Sequence, residues 1–159
     1  MKWLVAGLAT LMLAGCQMAG PVERKVAYPA DEYAALEKTG SSTIEGQLFM
    51  RTRGGDVKYG AGSEIVVAPV TSYSSETTRI IRAGDTPPMA DSRVTAFTHK
   101  TQADGDGRFE LNDLPAGDFY VVGGVWWETG SPYTPRQGGV VIKQVHLDEG
   151  ETQEVMLTQ

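Results

Sequence analysis

From Thr43 onward, apolar and polar residues alternate at a period of two in a series of short runs. That pattern marks half-buried strands. Ile44, Gly46, Leu48 and Met50 alternate with Glu45, Gln47 and Phe49 and predict a first strand. Ser63 to Thr71 predicts a second, and Pro69 places its end at an edge or bulge because proline has no N–H for a ladder. Arg93 to Lys100 predicts a third strand. Phe109 and Leu111, set against Arg108 and Glu110, predict a fourth. Phe119 to Glu128 reads as a fifth, weakened by Gly123-Gly124. Gly138 to Leu147 and Thr152 to Leu157 close the set, joined by an Asp148-Glu149-Gly150-Glu151 turn. Seven short strands separated by turn residues predict an all-β sandwich.

The punctuation supports the same reading. Asp104-Gly105-Asp106-Gly107 is a reversal that tolerates positive φ, and Leu114-Pro115-Ala116-Gly117 is a second turn. The alternation nominates a core of Ile44, Leu48, Ile65, Val67, Phe109, Leu111, Leu114, Tyr120, Val122, Val145, Leu147, Val155 and Leu157. Two stretches depart from the period of two. Asp31 to Lys38 suits two helical turns, and Ser75 to Ala83 suits a short helix with Arg79 and Arg82 late and Gly84 to stop it. The second helix lies in a long excursion, Ser72 to Ser92, between the second and third strands. Ile80 and Ile81 predict that it packs against the sandwich.

The run Thr101 to Tyr120 carries Thr101, Asp104, Gly107, Phe109, Leu111, Leu114, Pro115, Gly117 and Tyr120 in the order T-x-x-D-x-x-G-x-F-x-L-x-x-L-P-x-G-x-Y. With these residues the chain resembles the carboxypeptidase regulatory-like domain, from roughly Thr43 to Leu157 less the excursion. The resemblance implies a seven-stranded transthyretin-type (prealbumin-like) Greek-key sandwich over residues 43–159. It says little about function, because that fold hosts many.

The first residues read differently. Lys2 and the apolar run Trp3 to Leu13 form a signal peptide, residues 1–15, too short to span a bilayer comfortably. Leu13-Ala14-Gly15-Cys16 matches the bacterial lipobox. That match implies cleavage after Gly15 and lipidation of Cys16, the chain's one cysteine, by diacylglycerol and usually an N-terminal acyl group such as palmitate. Gln17 rather than Asp at the next position resembles an outer-membrane address. Residues 16–42, with Gly20-Pro21, Pro29 and Gly40-Ser41-Ser42, read as a lipidated tether of about 25 residues able to hold the domain roughly 30 Å from the bilayer.

Charge narrows the partners. The formal net charge is −6, which argues against nucleic acid and against a broad electrostatic grip on anionic lipid. The N-terminal lipid is then the expected membrane contact.

Candidate chemistry is sparse. His146-Leu147-Asp148-Glu149 has the H-x-x-E spacing of metallocarboxypeptidase zinc ligands but lacks a third ligand, and His99 lies on another strand, so no metal site is expected. Asp104 and Asp106 imitate part of a calcium-binding loop. Gln102 and Asp113 are weak substitutes at its ends, and a capped turn explains the same residues. No free cysteine, no G-x-S-x-G elbow and only two histidines leave no nucleophile–base pair. The C-terminal Tyr-Arg-Gly-Ser of transthyretin-like hydrolases is also missing, so neither an enzyme nor a cofactor is expected. What remains is surface recognition. Trp127, Tyr133 and Arg136, with Tyr73 from the excursion, are the interface-prone residues nominated for a partner. Trp127 is assigned outward and Trp126 inward on the parity of Tyr120 and Val122, and Pro132 and Pro135 stiffen the loop. The expected function is a non-catalytic envelope lipoprotein binding an unidentified envelope protein or glycan. A small hydrolase and a structural spacer are the alternatives.

Overall fold

The computed structural model describes residues 22–131 and 133–159; the expected signal peptide, Cys16 and Pro132 lie outside them. Among the described residues, eight strands form two four-stranded sheets packed as a β-sandwich. In the first sheet β1 (Ser42–Arg51) pairs with β2 (Val57–Tyr59) and β5 (Arg108–Leu114) antiparallel, and with β8 (Thr152–Leu157) parallel. The second has the order β4 (His99–Gln102), β3 (Glu64–Pro69), β6 (Gly117–Trp127), β7 (Gln137–Leu147), antiparallel throughout. The strand beyond the expected seven is β2, formed inside the glycine-rich Arg51 to Gly62 connection.

The core lies between the sheets and contains Ile44, Leu48, Ile65, Val67, Phe109, Leu111, Leu114, Leu147, Val155 and Leu157, as the alternation predicts. Leu48 is fully buried between two glycines: a Cβ on Gly60 would fall 2.3 Å from its Cδ2, and one on Gly123 2.8 Å from it. Gly107 holds φ +76° where a Cβ would meet the Leu48 carbonyl oxygen at 2.3 Å, so both backbone and space demand glycine there.

Strand β6 corrects the predicted parity. Phe119, Val121 and Val125 face the core, and Trp127 packs against it. Tyr120 and Val122 point to the opposite face. Tyr120 is still buried, because that outer face is covered by a third layer. The cause is visible in the sequence run Phe119 to Val122, apolar at four successive positions. A strand buried on both faces has no polar side to set its parity.

The third layer is built from the excursion and the N-terminal segment. Helix α2 (Ser72–Arg82) begins three residues earlier than its sequence pattern suggests. Thr71 caps it by accepting the Ser74 amide at 3.1 Å while Ser74 Oγ accepts the Thr71 amide at 2.9 Å. Arg93 to Phe97, expected as strand, forms a 3₁₀ helix (Ser92–Phe97) instead. Asp91 caps that helix through the Arg93 amide at 3.0 Å, and Thr98 Oγ1 donates back to the Val94 carbonyl at 2.9 Å. Local capping bonds outweigh the alternation.

Residues 22–41 are not a free tether. Helix α1 (Ala30–Ala34) buries Tyr33, whose ring stacks on Tyr28 at 5.0 Å and meets Phe97 at 5.1 Å. The buried Glu76 carboxylate accepts the amides of Lys25 at 2.8 Å and Val26 at 3.0 Å. Arg24 lies 3.8 Å over the Tyr73 ring and donates to Thr77 Oγ1 at 3.1 Å. Glu32 takes both the amide and the hydroxyl of Ser72. The segment is a strap over α2, because hydrogen-bonded carboxylates and aromatic stacking offset the entropy of ordering it.

Candidate functional site at the end of the sandwich

Strands β6 and β7 finish together, with Trp127 opposite Gln137 and Trp126 opposite Gly138. Because neighbours on a strand point to opposite faces, the two indoles part company here. Trp127 turns inward and is half-buried against the core. Trp126 turns outward and is 50% exposed. Its indole folds back over Gly124, where a Cβ would sit 3.0 Å from Nε1. This reverses the sequence assignment, and the cause is the parity of β6 described above.

Trp127 also forms one wall of a cleft of about 750 Å³ between the ends of the two sheets. Met50, Arg51 and Arg53 line it from the first sheet and the turn after β1; Gln137 and Gln159 line it from the second sheet's edge and the chain end. The turn is held by Thr52, whose amide donates to the Asp56 carbonyl at 2.8 Å, which fixes Arg51 and Arg53 at the cleft margin. The lining therefore combines one aromatic ring with two guanidinium groups and two carboxamides. These planar groups hydrogen-bond vicinal hydroxyls, and the ring offers an apolar face to the C–H side of a sugar.

The other nominated residues divide. Tyr133 is 95% exposed on the β6–β7 loop, and Arg136 on the same loop pairs with Glu128 at 3.3 Å. Tyr73 does not join them. It is buried in α2, its ring covered by Arg24 and its hydroxyl accepting the Asp91 amide at 2.7 Å. It serves the strap, not a partner. Sequence reasoning missed Arg51, Arg53, Gln137 and Gln159. The available signal was a pair of arginines, one ending β1 and one in the turn after it, which the sandwich brings opposite the end of β6.

Of the histidines and aspartates flagged in the sequence, His146 and Asp104 are engaged within the fold. His146 Nδ1 lies 3.0 Å from Asp118 across the β6–β7 ladder, and this bond raises the imidazole pKa. His99, on β4, is instead lowered by burial. Asp104 Oδ1 accepts the amides of Asp106 at 2.9 Å and Arg108 at 2.8 Å and so caps its own turn. Among the described residues no three His, Cys, Asp or Glu side chains group as metal ligands.

A second concavity, about 390 Å³, lies between α2, the 3₁₀ helix and the outer face of the second sheet. Val66, Ala68, Val94 and Val122 make its walls apolar, and the Tyr33, Tyr73 and Tyr120 hydroxyls beside it already have partners within the protein. It offers few polar groups to a sugar. The cleft beside Trp127 offers several.

No protein-family model matches the chain, and no curated protein matches it significantly. Among solved structures it is similar to the crystal structure of a protein from Pseudomonas aeruginosa, described as a "putative carbohydrate binding protein". The two chains are 27% identical with a TM-score of 0.75, and the match covers 83% of this chain and 97% of that one.

Proposed function

We propose that this chain is a non-catalytic, lipid-anchored module of the bacterial cell envelope, with outer-membrane address, that binds glycans in the cleft beside Trp127. The observation that carries the reading is the lining of that cleft: an aromatic wall with Arg51, Arg53, Gln137 and Gln159 converging on it. The similarity to a protein described as carbohydrate binding supports glycan over protein as the partner. The Thr101 to Tyr120 hallmark and the two-sheet sandwich support a transthyretin-type Greek key beneath it. The lipobox at Cys16 supports the anchor.

The test is a glycan array probed with the chain from Gln17 onward, beside an Arg53→Ala/Gln137→Ala variant. Selective capture of a glycan class by the parent, lost in the variant, is the expected result. Equal capture by both moves the site elsewhere. Lipidation is checked separately by acyl labelling of the parent and of Cys16→Ser, which should lose both label and membrane association.

A further inference from the structure

If Cys16 is lipidated, the docked strap decides how the domain sits on its membrane. The sequence alone suggests a long standoff, but the chain is pinned to α2 by Arg24, Lys25 and Val26. Only eight residue steps separate Cys16 from Arg24, which span at most about 27 Å when fully extended. A lipid anchor on so short a leash holds the α2 side of the domain near the bilayer.

The charge distribution agrees with that placement. The strap and excursion, residues 22–41 and 71–100, carry seven basic against seven acidic residues. The remaining described residues carry six basic against thirteen acidic. On the far sheet, Glu45 stands directly between Glu110 and Glu154 in register across three strands. A surface with that row is repelled by anionic lipid, whereas the neutral layer is not. The neutral layer also carries apolar contacts. Met89, between α2 and the 3₁₀ helix, is 96% exposed after Pro87-Pro88, and the apolar groove walled by Val66, Val94 and Val122 is part of the same layer.

We infer that the α2 layer, with Met89 at its prow, is a docking surface for the phospholipid bilayer in which the chain is anchored. The strap is what turns a tether into an orientation. The Glu45 face then points into the surrounding compartment.

The inference rests on the lipidation of Cys16 in the reading above. It is tested with full-length acylated protein in phosphatidylethanolamine–phosphatidylglycerol vesicles. A bimane label is placed at Met89→Cys or Glu45→Cys, the acylated Cys16 being unreactive, and quenching by brominated lipid is measured. The Met89 label should be quenched several-fold more than the Glu45 label. Glu76→Ala, which frees the strap, should bring the Met89 signal down toward the Glu45 level. Acyl labelling and vesicle flotation are read on the same samples. A chain that floats with its acyl label but shows equal quenching at both sites overturns the orientation alone. A chain that carries no acyl label overturns the anchor, and the orientation with it.

Discussion

Glu76 and Lys25 stand 51 residues apart in the chain, and the Glu76 carboxylate accepts the Lys25 amide proton at 2.8 Å. With the Val26 amide on its other oxygen, one side chain of α2 holds two successive amides of the N-terminal strap.

That bond predicts protease behaviour. In the native protein the peptide bonds after Arg24 and Lys25 should resist trypsin, because cleavage requires the strap to open. Glu76→Ala should expose both bonds and speed cleavage several-fold, while the β-rich far-UV spectrum is unchanged. The carboxylate pKa is lowered chiefly by the Lys25 amide. A lowered acid contributes fully above its ordinary value of 4.5 and loses its contribution as pH falls through the lowered value. With a protease active at acid pH, and each rate divided by that for an unstructured peptide at the same pH, strap cleavage should rise as pH drops below that range, and the rise should be absent in Glu76→Ala, which is open throughout. A wild-type strap whose normalised cleavage does not change as pH falls through that range contradicts this.

The two histidines should titrate on opposite sides of 6.5. His146 is raised by its bond to Asp118, and His99 is lowered by burial. For His146 the sign is that of a base gaining a partner. Its contribution is present below 6.5 and lost as pH rises through the raised value. Imidazole proton shifts followed by NMR check both, and Asp118→Asn should return His146 toward 6.5 while leaving His99 in place.

The hallmark turn should be fragile for reasons of space and backbone. Gly107→Ala places a side chain at φ +76° against the Leu48 carbonyl, at a cost of about 1–3 kcal/mol for the conformation before any clash. Phe109→Ala, two residues on, empties a buried site and should cost about 3–5 kcal/mol. Denaturant unfolding measures both, and a Gly107→Ala protein as stable as its parent would contradict the geometry around Leu48.

Much of the sandwich could be read from the alternation because its strands keep one polar face. Leu48, Leu111, Val155 and Leu157 needed nothing more than the period of two. Tyr120 and Val122 were misplaced because both faces of β6 are buried, one by the core and one by α2, and no polar residue marks the difference. Trp126 and Trp127 exchanged roles with them. Arg93 to Phe97 alternates like a strand, yet the Asp91 cap turns it into a helix, since a short edge segment gains more from local bonds than from a ladder it cannot complete. Asp31 to Lys38 announced a helix in the strap, but nothing in the pattern announced that the segment docks on α2. Two of its anchors are backbone amides, which every residue has, meeting a glutamate far along the chain, and the partners of Arg24, Glu32 and Tyr33 are equally distant in sequence. At the site, the aromatic cluster drew attention to the correct end of the sandwich, while Arg51 and Arg53 stayed hidden because only the tertiary fold sets their turn beside Trp127.

The central claim is glycan binding in that cleft, and isothermal titration tests it most directly. The ligand is the oligosaccharide that the array selects, titrated into the parent, Arg53→Ala/Gln137→Ala and Trp126→Ala. The cleft account predicts saturable binding by the parent and a loss of at least about tenfold, near 1.4 kcal/mol, in the double variant at unchanged Tm. Trp126→Ala, altered on the opposite face of β6, should bind as the parent does. Parent-like binding by the double variant, or binding abolished by Trp126→Ala alone, would contradict it and place recognition on the outer face of the sheet.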